Sequence, residues 1–460
     1  MTSAPGDMSI APGGLWSRNF SLFFAARGVA RLGDMMAPVA LATGLVLSGY
    51  GAGVVGAVLA SMTACFAGFV IFGGVIADRV NNRVLMIGAD LVRVVVQAVM
   101  AGLFFTGHIV VWQICLLSAV NGICAALFQP GLPTLIPRIA ADVQGANGAI
   151  RTIESLMTMA GPAVAGALVG LTEPGGVFVA YAFTYLASAI CLALLRLPAP
   201  ADRSGVAQSV TSKSAMAKSV VEKSVVAKSV AAKSVVAKEN SFRSDLVQGW
   251  QEFRSRTWLW GVIVIWMVLM IASWGPMVPL IATEVVSEYG PSTLGLVNSA
   301  MGAGMVAGAL VAMRVRPVRP LRAGSAALLL YWLQPASVAL GLPVPLIAAG
   351  LAAAGAANAF WGVMWTTSIL TQVPTEVRSR VHAYDVAGSV AMMPVGQALA
   401  GPASEIFGVR EVLGFNAVMA MVVAVALLSV PAIRNLRRVE GRGPTDFAPA
   451  AVEESAGREA

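Results

Sequence analysis

The sequence predicts an all-α membrane protein of twelve transmembrane helices arranged as two six-helix bundles. Three observations carry this expectation. First, 57% of the 460 residues are hydrophobic and only 12% are charged, with a mean hydropathy of +0.77. A soluble domain carries about a quarter charged residues, so this chain lacks the polar groups to cover itself in water. Second, apolar runs of about 20 residues recur, the length that crosses a bilayer as a helix. Third, these runs form two sets of six around a single polar interval.

Residues 1–19 are a short leading segment without the basic region and cleavage pattern of a signal peptide. The first bundle, 20–197, holds runs at 20–47, 52–77, 84–106, 110–130, 146–171 and 176–196. Between its second and third runs lies a charged hinge, Gly74-Val75-Ile76-Ala77-Asp78-Arg79-Val80-Asn81-Asn82-Arg83. Charges wedged between two such runs read as a tight turn at a membrane surface. Residues 198–256 form a polar linker in which Lys213, Lys218, Lys223, Lys228, Lys233 and Lys238 recur every five residues. That period fits neither helix nor strand. It reads as a solvated tether, or as a basic segment lying on anionic lipid. The second bundle, 257–433, holds runs at 257–283, 293–313, 323–341, 344–369, 383–407 and 411–433, and 434–460 form a tail.

Loop charge gives an orientation. With the N-terminus in the cytoplasm, the inside loops carry Arg79, Arg83, Arg138, Arg314, Arg316, Arg319, Arg322, Arg378 and Arg380, and the tail adds Arg434, Arg437 and Arg438. The outside loops carry His108, Glu173, Glu284, Glu288 and the pair Arg410–Glu411. Lys/Arg asymmetry of this kind sets topology, so both termini are expected in the cytoplasm of a cell bounded by the membrane spanned. The halves also repeat. Ile136-Pro137-Arg138 leads into Gly161-Pro162, and Val373-Pro374 leads into Gly396 through Gly401-Pro402 at similar spacing. Internal repeats of this kind build transporters whose substrate site lies between them.

Soluble chemistries find little support. Gly51-Ala52-Gly53-Val54-Val55-Gly56 spells a dinucleotide fingerprint, with Asp78 about twenty residues on. It opens an apolar run too long for a βαβ unit, so close helix packing is the better reading. No phosphate-binding loop, zinc-protease or nucleophile-elbow motif occurs, and no cofactor, metal or nucleic-acid partner is expected. Cys65, Cys115, Cys124 and Cys191 all sit in apolar runs without ligand spacing.

Ionisable residues inside spans are costly and default to function. The first span carries Arg27, Arg31 and Asp34 at i,i+4 and i,i+3 spacing, one shared face. Asp34 is its deepest acid: a candidate for proton coupling or for a cationic substrate group, or else one side of a buried Asp34–Arg31 bridge. Arg151 and Glu154 form a similar pair in the fifth span, and Asp90 and Arg93 in the third, read as a bridge to the hinge. His382 and Asp385 enter the eleventh span as gate candidates. A drug-sized cavity needs apolar walls and a few polar groups. Gln113, Asn121, Gln334, Asn358, Trp361 and Trp365 are the candidates, each alternatively a packing residue. Trp258, Trp260, Trp266 and Trp274 are the set among which interfacial anchors are to be sought.

Several stretches carry a family resemblance. They are the hinge itself, Ala26-Arg27 with Leu32-Gly33-Asp34, Ala89-Asp90-Leu91-Val92-Arg93, Phe128-Gln129-Pro130-Gly131-Leu132-Pro133, Gly145-Ala146-Asn147, Gly161-Pro162 with Gly166, and Gln372-Val373-Pro374-Thr375-Glu376-Val377-Arg378-Ser379-Arg380-Val381. Over about residues 18–435 the chain resembles the major facilitator superfamily, and within it the drug:proton antiporter group that includes macrolide-efflux and enterobactin-export proteins. The hinge departs in having Asn81 and Asn82 where that superfamily usually has Gly and a second basic residue. The resemblance implies a transporter rather than an enzyme, working by alternating access. It implies export of a drug-like molecule or secondary metabolite across the cytoplasmic membrane, driven by protons, by a monomer. It also implies a cytoplasmic gate from Gly74, Asp78, Arg79 and Arg83 with Asp90, Arg93, Arg380 and Asp385. A lipid-like cargo, uptake, or a non-transporting sensor on the same scaffold remain alternatives.

Overall fold

The structure, a computed structural model, describes residues 16–77, 81–128, 135–136, 138–140, 142–196, 254–373, 388 and 391–438. Asp78, Arg79, Arg380, His382, Asp385 and the lysine repeat lie outside the described residues. The elements are helical, with no strand among the described residues. In the first half they are α1 (Arg18–Leu47), α2 (Ala52–Ala77), α3 (Asn82–Thr106), α4 (Val111–Phe128), α5 (Val143–Leu171) and α6 (Pro174–Ala193). The second half holds α7 (Thr257–Tyr289), α8 (Pro291–Arg314), α9 (Pro320–Ala327 and Leu333–Ala339 around a 3-10 turn), α10 (Val344–Gln372), α11 (Met393–Phe407 in its described part) and α12 (Val409–Ser429).

Ten of these are long and apolar enough to cross a membrane by length and composition. The broken α9 and the described part of α11 are the other two. Outward faces are apolar: Val95 is 63% exposed, Phe183 64% and Val418 60%. Buried positions instead include Asp90, Arg93, Gln97, Asn121, Gln334 and Gln397. Only a hydrocarbon solvent makes that inversion favourable, and the chain is a multi-pass membrane protein.

Hydrogen bonds between connections fix an up-and-down threading. At one end Asn19 Nδ2 donates to Arg196 O (2.8 Å), and Arg83 donates to Leu192 O (2.9 Å) and Ala193 O (2.6 Å). In the second half, Arg256 donates to Gln372 O (2.6 Å) and Gln372 to Arg437 O (2.8 Å). Asn19 and Arg437, near the first and last described residues, therefore lie on this side, called here the terminal end. At the far end Tyr50 OH donates to Ile109 O (2.8 Å) and Tyr289 OH to Leu342 O (3.1 Å). There Arg410 also pairs with Glu284 (2.8 Å) and with Glu288.

The two halves meet through glycines near the far end. A Cβ added to Gly166 of α5 would stand 2.8 Å from Gly295 Cα of α8, and one on Gly53 of α2 3.2 Å from Gly401 Cα of α11. Side chains any larger would hold these helices apart. Gly161 serves the same purpose inside the first half, where Leu32 O and Met35 of α1 lie against it.

α7 is interrupted by a π-helical turn, Met270–Trp274. Pro276 has no N–H to give the carbonyl four residues back, Ala272 O. Asn416 of α12 takes over: in the amide orientation that satisfies both its ends, it donates to Ala272 O (3.0 Å) and Val412 O (3.1 Å). Ser273 donates in turn to Asn416 O (2.9 Å). The bulge aims Trp274 into the space between the halves.

Candidate functional site

Three adjoining cavities lie among the helices. The first, about 260 Å³, is lined by Arg27, Arg31, Asp34, Phe66, Arg93, Asn121 and Tyr181 of the first half. The second, about 200 Å³, lies between the halves against Thr158, Pro162, Trp274, Asn298 and Gln334. The third, about 330 Å³, lies in the second half against Trp266, Asn358, Trp361 and Trp365. Met35 and Pro38 line both the first and second cavities, and Met305 both the second and third. The row of cavities is therefore charged at one end and aromatic at the other.

Gly33 sets up the charged end. Without a side chain it lets Tyr181 and Thr184 of α6 close onto α1, which brings Tyr185 to Asp34. Tyr185 OH donates to Asp34 Oδ1 at 2.6 Å, and Arg93 Nη1 stands 3.7 Å from the same oxygen. The Tyr181 and Tyr185 hydroxyls are 2.8 Å apart. Because the Tyr185 proton goes to Asp34, Tyr181 donates to Tyr185, and the chain of hydrogen bonds runs one way into the carboxylate. The Arg93 guanidinium also lies 4.8 Å from the centroid of the Tyr185 ring, a cation–π contact.

The alternative reading, an Asp34–Arg31 bridge, is not what the structure shows. Asp34 turns to α3 and α6, and among the described residues Arg31 makes no hydrogen bond or ion pair, its Nε being buried without a partner. Arg93 joins Asp34 in the cavity wall; Asp78 and Arg79, the hinge charges that an Asp90–Arg93 bridge would reach, lie outside the described residues. Asp90 is buried and accepts from Ser188 Oγ at 2.6 Å. Arg83 holds the last carbonyls of α6, and Asn81 caps α3 by accepting from Arg83 N at 3.0 Å. Gly74 lies in the last turn of α2. Glu154 pairs with Arg27 (2.6 Å) and, as its i,i+3 spacing predicts, with Arg151 (3.6 Å).

Of the polar candidates, Asn121, Gln334 and Asn358 line the cavities. Asn121 accepts from Gln97 at 3.5 Å. Gln113 of α4 lines none of the three. Pro162 faces the middle cavity, whereas Gly161 and Gly166 act as contact surfaces for α1 and α8.

The aromatic end is a ladder of rings. Trp266 stacks on Trp361 (5.7 Å, 13°) and Trp361 on Trp365 (6.1 Å, 11°). Trp258 closes edge-on against Trp365 (5.8 Å), while Trp274 meets Trp266 (6.2 Å) and Tyr331 (5.7 Å). Of the four tryptophans among which interfacial anchors are to be sought, Trp258, Trp266 and Trp274 thus belong to an inner wall. Only Trp260, 40% exposed, faces outward among these four. The sequence reading also missed Tyr181, Tyr185 and Ser188. Their i,i+4 and i,i+3 spacing along an apolar helix puts them on one face, and that spacing was the available signal.

Comparison with known proteins agrees with this architecture. Residues 23–384 match the family model described as Major Facilitator Superfamily. Macrolide efflux protein A of Streptococcus pyogenes is 26% identical over 143 residues, 30% of this chain and 35% of that protein. The uncharacterized MFS-type transporter YvqJ of Bacillus subtilis (strain 168) is 23% identical over 192 residues, 41% of this chain and 46% of that one. These matches span less than half the length of either relative. Among solved structures, the nucleoside transporter NupG superposes with a TM-score of 0.66 at 11% identity, over 89% of this chain and 98% of that one. A POT family transporter in complex with 5-aminolevulinic acid superposes at 0.61, also at 11% identity, over 89% and 95%. Two six-helix halves that meet around a shared cavity, and a family match over most of their length, establish that the chain is a transporter belonging to the major facilitator superfamily.

Proposed function

We propose that this protein exports a drug-like small molecule or secondary metabolite across the cytoplasmic membrane by proton-coupled alternating access, with Asp34 as the coupling acid. The observation that carries the reading is the setting of Asp34. It is an acid on a membrane-spanning helix, 24% exposed, facing a cavity inside the first half and held by a tyrosine and an arginine from two other helices. Protonation discharges the carboxylate and weakens its hold on Arg93 and Tyr185, so the packing of α1 on α3 and α6 depends on its charge. A carboxylate couples fluxes when its proton affinity differs between the two access states. The partial likeness to macrolide efflux proteins supports the outward direction. The excess of arginine at the terminal end supports placing that end in the cytoplasm.

The test is substrate-dependent proton flux in proteoliposomes, across a panel that includes a macrolide. Asp34→Asn is expected to abolish pH-driven transport while leaving the protein folded and able to bind. Unchanged proton-coupled transport by Asp34→Asn removes this residue from the mechanism.

A further inference from the structure

The charges of the inner cavity do not cancel at its surface. Asp34 is engaged by Tyr185 and Arg93, Glu154 by Arg27 and Arg151, and Asp90 by Ser188. Arg27 and Arg93 are thereby matched as well. Among the described residues, Arg31 alone of the three arginines has neither a hydrogen-bonding nor an ionic partner, and its Nε, like that of Arg93, is shut off from solvent without one. The cavity wall carries three guanidinium groups, Arg27, Arg31 and Arg93, against the single carboxylate of Asp34. A cationic ligand would meet an unneutralised arginine and an acid already committed elsewhere. An anionic ligand would meet the planar fork that binds carboxylate oxygens in pairs.

We propose that the substrate is an amphipathic anion, whose carboxylate- or sulfonate-type head group pairs with Arg31 and whose flat apolar body lies against the tryptophan ladder. The inference rests on the transport reading above and adds the charge and shape class of the cargo. The cavities adjoin across flexible or small side chains: Met35 and Pro38 stand between the arginine cavity and the middle one, and Met305 between that and the wall of Trp266, Trp361 and Trp365. Near-parallel indoles 5.7 and 6.1 Å apart present flat faces and edges, suited to a flat hydrocarbon surface by offset or edge-on packing. Gln334 of α9, whose Oε1 is buried without a partner, lines the middle cavity together with Thr158 and Asn298 and offers a polar contact on the way.

The full-length protein in lipid nanodiscs tests this by titration calorimetry with three probes of one shape: 2-naphthoate, 2-naphthamide and 2-naphthylmethylammonium. The wild type is expected to favour the anion over the amide by about tenfold or more, as a paired charged hydrogen bond requires. Arg31→Gln is expected to bring the two within about twofold of each other, and Arg31→Lys to retain part of the preference. Trp361→Ala is expected to weaken both alike. Preference for the ammonium probe, no binding of naphthoate by the wild type, or an unchanged ratio in a folded Arg31→Gln protein overturns the proposal. The wild-type ranking decides it even where a variant does not fold. Naphthoate binding without pH-driven movement in proteoliposomes would sink proton-coupled export and leave this assignment standing. Pumping of a macrolide without naphthoate binding would do the reverse.

Discussion

At the residue scale the contact between Tyr185 and Asp34 is the pivotal one. A carboxylate inside a membrane protein persists only with donors around it, and here Tyr185 is the nearest, at 2.6 Å against 3.7 Å for Arg93. Interhelical hydrogen bonds in bilayers average well under 1 kcal/mol and reach about 1.7. Bonds to a charged acceptor lie higher, at about 1.5–3. The two ranges meet near 1.5 kcal/mol. A thermal-unfolding cycle of Tyr185→Phe, Asp34→Asn and the double variant is expected to show a coupling of that size, and a coupling near zero would deny the contact. Arg83 provides a contrasting case. It holds two terminal carbonyls of α6 from the start of α3 and touches no cavity. Arg83→Gln is expected to lower the melting temperature by a few degrees, roughly 1–2 kcal/mol, with ligand affinity unchanged in the same preparation.

At the element scale the helices are shaped by where they must touch. α5 and α8 cross at Gly166 and Gly295, and α8 meets Met159 again at Gly302. Gly166→Val is expected to wedge the two halves apart at the far end, raising the labelling rate of a cysteine placed there several-fold. Gly102→Val of α3, where a Cβ meets nothing within 4 Å, is expected to leave that rate unchanged. Much of this level was legible in the sequence. Bilayer thickness imposes the length of each apolar run, and the glycines of 51–56, read as a close-packing surface, include Gly53 and Gly56, which meet Gly401 and Gln397 of α11. Partner choice was less legible. Spacing along α1 put Asp34 beside Arg31, but Gly33 draws α6 in and Tyr185 captures the acid. That outcome depends on which helices become neighbours in space, which local spacing does not encode. The π turn of α7 was hidden for a similar reason. Pro276 signals a lost hydrogen bond, yet only Asn416, far along the chain, determines how the freed carbonyl is satisfied.

At the scale of the whole molecule the question is whether the two halves move against each other. The ion pairs Arg27–Glu154, Arg93–Asp34 and Arg410–Glu284 each lie within one half. The seams at the far end consist instead of glycine backbones in contact, a surface that packs closely but carries few directional bonds to break. Such a seam suits alternating access, where one bundle must rock off the other at one end while closing at the opposite one. A cross-link there tests it directly. A Cβ built on Gly170 of α5 lies 3.9 Å from Ser292 Cβ of α8, close to the mean of about 3.8 Å for Cβ atoms joined by a disulfide. In a protein whose Cys65, Cys115, Cys124 and Cys191 are first replaced, Gly170→Cys with Ser292→Cys is expected to oxidise readily. The oxidised form is expected to lose transport while still binding ligand from the terminal end, and reductant is expected to restore transport. Full transport by the fully cross-linked protein would mean that the halves do not part between α5 and α8. The exit path would then have to be sought elsewhere in the fold.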